Sequence, residues 1–371
     1  MFLPSEWHEQ EFVQLTWPHE QTDWAPILTE ATQCFLSMAA EISKREKLVI
    51  LAQNPYEVSK QIETCTLFTQ AARQRITILS CLNNDTWARD HAFISCLHHD
   101  GSKTTRHLLD YQFNGWGMKF PSNFDNQLNR NLYQSLNQED NIYINNLDFV
   151  LEGGSVESDG KGTILTTSSC LLAPNRNDTY TRSQIEERLL RDFHAKQVLW
   201  LDYGHLEGDD TDGHIDTLAR FCPNDTIAYV RCNDKSDSHY QDLSLMEQQL
   251  QSFRTQTGQP FQLVPLPMAP PLYDENLDGT VTRLPSTYAN FLIINQAVLF
   301  PTYGNHQSDT LAAHALQQCF PKREIVGIDC QVLVRQHGSL HCSAMQYPAI
   351  LNDNDNLNND NHNHNDNCRP D

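Results

Sequence analysis

The stretch Gly208-Asp209-Asp210-Thr211-Asp212-Gly213-His214-Ile215-Asp216 sets four carboxylates around one histidine within nine residues. Three distant segments extend its chemistry: Trp87-Ala88-Arg89-Asp90, Glu152-Gly153-Gly154 and His341-Cys342. Together they supply a thiol, an imidazole and several carboxylates, the groups that cleaving a C–N bond of a guanidinium demands. A guanidinium stays protonated at any biological pH and presents its N–H donors in a flat fork, so paired carboxylates hold it best. Asp90, Glu152 and Asp216 are the candidates. The central carbon has no carbonyl oxygen to polarise, and covalent attack divides one hard substitution into two easier steps. Cys342 is the candidate nucleophile, and a neighbouring imidazolium or the bound cation itself would favour its thiolate. His214 can protonate departing ammonia and then activate water.

Further segments stand in order along the chain: Trp17-Pro18-His19, Phe113-Asn114-Gly115-Trp116-Gly117, Gly162-Thr163-Ile164-Leu165-Thr166-Thr167, Tyr288-Ala289-Asn290-Phe291 and Pro301-Thr302-Tyr303-Gly304. With them the chain resembles the agmatine deiminase and Porphyromonas-type peptidylarginine deiminase family, from Trp7 to about Pro348. The resemblance implies Cys342 as nucleophile, His214 as acid and base, Glu152 as the histidine's partner, and Asp90 and Asp216 as the guanidinium clamp. It also implies an α/β fold of the pentein type, a five-bladed propeller of ββαβ-type modules with pseudo-fivefold symmetry and the site in its central channel. The loop before the nucleophile departs from the family. Many agmatine deiminases carry Gly-Gly-Gly-Asn-Ile-His-Cys, where this chain has Gln336-His337-Gly338-Ser339-Leu340-His341-Cys342.

Each residue also has a plainer reading. Among 11 cysteines, any one is more often a small buried hydrophobe than a nucleophile. His214 and Asp216, two residues apart, form half of a metal site if they lie on a strand. No Cys-x-x-Cys pair or His-Glu-x-x-His helix completes such a site, so no metal and no cofactor are expected. Asp90 beside Arg89 reads as a surface ion pair, and Glu152 before two glycines as a strand end. Asp274-Glu275-Asn276-Leu277-Asp278-Gly279 imitates an EF-hand opening, but Pro285 stands where a bidentate Glu is required. The Asn-Asp-Thr sequons at Asn84, Asn177 and Asn224 read as chance, because the N-terminus shows no signal-peptide pattern.

Composition fits a soluble cytoplasmic enzyme of 371 residues, 39% hydrophobic, with no apolar run of the ~20 residues needed to cross a bilayer. The odd cysteine count and scattered positions suggest reduced thiols. A formal net charge of -21 argues against nucleic acid as a partner and suits a small cationic substrate. Association into a homo-oligomer stays open.

Residues 1–350 read as one catalytic domain. Residues 351–371, rich in Asn and Asp with His362 and His364, read as a disordered tail, since almost no apolar side chain offsets the entropy of ordering. Along the body, Lys47 to Leu51, Ile76 to Cys81, Gly162 to Thr167, Gln197 to Asp202, Thr226 to Arg231 and Phe291 to Pro301 read as strands. Ile27 to Lys44, Arg182 to Phe193, Asp242 to Phe253 and Ser308 to Cys319 read as helices. In the last, Leu311, Ala312, Ala315, Leu316 and Cys319 share one face expected to be buried, and Ser308 is the expected N-cap. Alternating strands and helices indicate α/β, and periodicity alone suggests a doubly wound sheet.

Hydrolysis of agmatine to N-carbamoylputrescine and ammonia is the leading reading. Trp87 is placed to pack on the methylene chain, and Asp210, four residues before His214, to meet the distal ammonium. Deimination of free or peptidyl arginine is the alternative, and a catalytically inactive polyamine-binding member is the reading from a different class.

Overall fold

The short apolar runs form strands, and the strands gather mostly in threes. The computed structural model describes residues 1–275, 279 and 281–350, so the expected tail lies outside the described residues. Near the N-terminus, β1 (Gln10–Thr16) leads through α1 (Leu28–Ser43) to a parallel β2 (Lys47–Ala52). From there α2 (Pro55–Thr64) leads to a parallel β3 (Ile76–Ser80). Asn54 caps α2 by accepting from the Glu57 amide, and Pro55 fills its first position, where no N–H is needed.

The middle of the chain repeats one connectivity. β4 (Ile94–His99) is antiparallel to β5 (Thr104–Gln112), and α3 (Asp125–Ser135) crosses to β6 (Asn141–Val150), parallel to β5. β7 (Val156–Ser158), β8 (Thr163–Thr167), α4 (Arg182–Asp192) and β9 (Gln197–Leu201) follow the same pattern. So do β10 (Ala219–Cys222), β11 (Thr226–Arg231), α5 (Tyr240–Ser252) and β12 (Gln262–Pro267). After a small hairpin, β13 (Tyr273–Glu275) with β14 (Val281–Arg283), the pattern returns in β15 (Leu292–Ile294), β16 (Ala297–Thr302), α6 (His306–Cys319) and β17 (Glu324–Asp329). β18 (Ala344–Pro348) then pairs antiparallel with β1, so the fifth unit draws its outer strand from the far end of the chain. The result is one four-stranded and four three-stranded sheets beside the hairpin, in place of the doubly wound sheet that periodicity suggests.

The repeat explains why the parallel strands are continuous apolar runs. The central strands β8 and β16 are buried almost throughout, whereas β5 is only partly covered. Two local expectations are corrected. Phe291 to Pro301 is not one strand: Asn295 and Gln296 turn the chain, Gln296 adopting φ 67, and Ile294 pairs with Ala297. In α6 the cap is Asn305, which accepts from the Ser308 amide, and Leu311 is 51% exposed while Ala312, Ala315, Leu316 and Cys319 are buried. An Asn with a free carbonyl three residues upstream competes well with Ser for that role. The EF-hand-like segment lies partly outside the described residues. No helix among the described residues is long and apolar enough to cross a membrane.

Candidate active site

Every sequence-predicted catalytic residue stands just before the first strand of a unit. Asp90 lies in the helical turn Ala88–His91 before β4, Glu152 before β7, His214 and Asp216 before β10, and Cys342 before β18. The remaining unit contributes Asn290, just before β15. These five segments meet. His214 Nδ1 is 3.6 Å from Asp90 Oδ1, Cys342 Sγ is 3.8 Å from Asp216 Oδ2, and Asn290 Nδ2 donates to Cys342 Sγ at 3.2 Å. Gly154 shows how close the approach is. A Cβ there would sit 2.6 Å from His214 Nδ1, 2.9 Å from Asp90 Oδ1 and 3.1 Å from Asp216 Oδ2, so the backbone can pass only as glycine.

The two clamp aspartates are held differently. Asp90 accepts from Trp116 Nε1 at 2.9 Å and from the Gly154 amide at 3.1 Å. Burial pushes its carboxyl up to about 6, with His214 opposing and Asp216 adding to the rise. Asp216 is also fully buried, yet the bond from His341 Nδ1 to its Oδ2, at 2.7 Å, with the His214 and Arg220 charges, holds its carboxyl below the usual value. Asp216 Oδ1 has no hydrogen-bond partner among the described residues. A buried acceptor left bare is costly, and a cationic ligand with several N–H donors would satisfy Asp216 Oδ1.

Burial, then the charges of Asp216 and Asp90, push the Cys342 thiol well above its ordinary value. A guanidinium between those carboxylates cancels the very charges that disfavour the thiolate. His214 is raised as well, which for an imidazole favours the charged form. Burial opposes its charge, but Asp90, together with Cys170 and Glu152, outweighs burial and raises it well above the ordinary histidine value. An imidazolium at that place is a ready proton donor.

Glu152 was expected beside the histidine, and its carboxylate lies within 4.8 Å of His214 and Cys170 donor atoms. Its hydrogen bonds go elsewhere. Arg176 Nε donates to both its oxygens, at 3.0 and 3.2 Å, while the same guanidinium reaches Asp212 at 2.5 Å and the Thr211 carbonyl at 2.8 Å. Arg176 ties Glu152 to the His214 loop and supplies the positive charge of a cluster whose residue types also suit a metal. Sequence reading missed Arg176, Asn290 and Trp116. Trp116 and Asn290 lie in segments singled out by resemblance, and Asn290 holds in its unit the place that marks the catalytic residues of the others.

A cavity of about 140 Å³ leads to Cys342 and Asp90, lined also by Trp87, Trp116, Asp23, Asp85 and Asp210. Among the described residues no Arg or Lys lines it. Trp87 is held at the wall by contact with Gly338, whose missing Cβ leaves room for the indole, and by a tilted stack on Trp24 at 5.5 Å. The loop before His214 is ordered by Asp209, which accepts from the Thr211 amide and hydroxyl and from the Gly213 amide. Asp210 is thereby left to line the cavity, where burial pushes its carboxyl up to about 6 against the pull of His337. A larger cavity of about 900 Å³ opens elsewhere, around Trp17, Glu57 and Gln61, and holds none of the candidate residues.

Residues 2–348 match the model of the Porphyromonas-type peptidyl-arginine deiminase family. The chain belongs to that family. An agmatine deiminase of Medicago truncatula is 30% identical over 368 residues, covering 94% of this chain and 96% of the relative. A crystal structure of a Porphyromonas gingivalis protein provisionally named an arginine deiminase superposes with a TM-score of 0.85 at 50% identity, covering 93% of this chain and 98% of that one. The C. jejuni agmatine deiminase with substrate bound gives 0.83 at 37% identity, covering 94% and 96%. Membership and these neighbours support a guanidine-deiminating enzyme with the α/β fold of the solved deiminases.

Proposed function

We propose that this protein hydrolyses agmatine to N-carbamoylputrescine and ammonia. Asp90 and Asp216 hold the guanidinium, and Cys342 Sγ attacks its central carbon. Ammonia leaves with a proton from His214, giving an amidino group on sulfur. Water activated by neutral His214 then adds to that carbon, and the C–S bond breaks to return the thiol. Glu152, through Arg176 and its nearness to His214, fixes the histidine loop. The repeated ββαβ connectivity and the meeting of five pre-strand segments support a five-bladed pentein propeller made by residues 1–350 as one domain.

The observation that carries the choice of agmatine is the cavity wall. Asp23, Asp85 and Asp210 with Trp87 offer carboxylates and an indole face to a distal ammonium, while among the described residues no Arg or Lys lines the cavity for the α-carboxylate of arginine, and Lys119 nearby is bonded to the Asp210 carbonyl and to Asp212. Arg176, beside the His214 loop, is committed to Glu152, Asp212 and Thr211. Ammonia release from agmatine, free arginine and a peptidylarginine, offered in parallel, tests the proposal. Agmatine is expected to give the highest kcat/KM, and a preference for either arginine substrate overturns it.

A further inference from the structure

The wall behind the clamp is built by a residue from the other end of the chain. Glu6, just before β1, sits within a ring of partners. Its Oε1 receives Arg89 Nη1 at 3.0 Å, and its Oε2 receives Arg220 Nη2 at 2.5 Å and Gln346 Nε2 at 3.0 Å. The same Oε1 lies 2.8 Å from His341 Nε2, the ring whose Nδ1 donates to Asp216. Arg220 Nη2 touches His341 Nε2 at 3.0 Å, and Arg220 also bonds Glu157. Burial opposes the charge on Glu6, and His341, Arg220 and Arg89 outweigh it, while burial and the same two guanidiniums hold the His341 ring below its ordinary value. A carboxylate, a ring and a second carboxylate thus stand in line, with the bare Oδ1 of Asp216 at the far end.

We propose that Glu6 is a positioning residue for the guanidinium clamp: it seats the His341 ring that orients Asp216, and its charge offsets Arg89 and Arg220 so that the charge of Asp216 remains for the substrate. Two guanidiniums behind a carboxylate that must bind a third would otherwise compete with the ligand. The inference rests on the reading of Asp216 as a guanidinium acceptor. Other charged groups facing this line are Glu157 beside Arg220, Asp90 and Cys342 beside Asp216, and His214 opposite.

Glu6→Gln keeps the shape and removes the charge, whereas Glu6→Asp keeps the charge. The variants are compared by steady-state kinetics and by the pH dependence of Cys342 alkylation with neutral chloroacetamide, located by peptide mapping. Glu6→Gln is expected to raise KM about tenfold, equally for agmatine and a simple alkylguanidine, and to move the Cys342 midpoint to lower pH. Glu6→Asp should restore the wild-type midpoint. Arg89→Met, which removes a cation and leaves Glu6 in place, should move the midpoint to higher pH even if Glu6→Gln fails to fold. A loss of kcat with KM and midpoint unmoved, or shifts of the same sign in Glu6→Gln and Arg89→Met, overturns the proposal. Alkylation needs no substrate, so a protein that ignores agmatine still reports on Glu6.

Discussion

In the proposed reaction Asp90 and Asp216 bind a permanent cation, and each is fully buried beside the thiol whose ionisation its charge opposes. Removing one partner of a buried charged pair costs roughly 2 to 5 kcal/mol. At ~1.4 kcal/mol per tenfold, Asp90→Asn and Asp216→Asn should each lose at least about 30-fold in kcat/KM. Near-wild-type kinetics in either variant would remove that residue from the site. The sign of the pH effect follows from Asp90, whose carboxyl is pushed up to about 6. Its charge is present above that pH and lost as pH falls through it, so kcat/KM of the wild type should decline near pH 6. A profile flat down to about pH 4, the ordinary carboxylate range, contradicts this. At the outer end, Asp210→Asn should weaken agmatine far more than an alkylguanidine without a terminal amine. Equal losses would make Asp210 structural.

At the scale of elements, the lesson is where loops join strands. Val, Ile and Thr runs disclosed β2, β3, β8, β9 and β11 because β-branched side chains favour the pleated strand. The turn at Asn295 and Gln296 is marked only by that short polar pair between two equally apolar flanks, so the whole run reads as one strand. Arg176 was illegible for another reason: its partners Glu152, Thr211 and Asp212 come from segments that the chain brings together only in three dimensions. His341 and Glu6 stand 335 positions apart, beyond any local pattern. Gly154 carries a sharper test. Its Cβ would crowd His214, Asp90 and Asp216 together. Displacing catalytic groups by about 1 Å can cost on the order of 100-fold, so Gly154→Ala should lose about that in kcat while circular dichroism still reports a folded protein. Full activity would show that the approach of β7 to the site is looser than described.

At the scale of the whole molecule, the candidate site is the place where five repeats of one connectivity converge, each contributing the residues just before its first strand. That convergence explains why motifs spread from Asp90 to Cys342 serve one reaction. It also explains why the N-terminal Glu6 and the C-terminal β18 back the same wall. The repeat could not be seen in the sequence, because the units share topology and almost no residues. The chemistry could be seen, because a thiol, an imidazole and paired carboxylates are rare in combination and each stands in a recognisable segment. The central claim is covalent deimination at Cys342, and rapid acid quenching of enzyme with agmatine, followed by mass spectrometry of its peptides, tests it most directly. An amidino adduct on Cys342 within the first turnover, absent in Cys342→Ser along with activity, is the predicted result. Substantial turnover by Cys342→Ser, or an adduct on another of the cysteines, contradicts it.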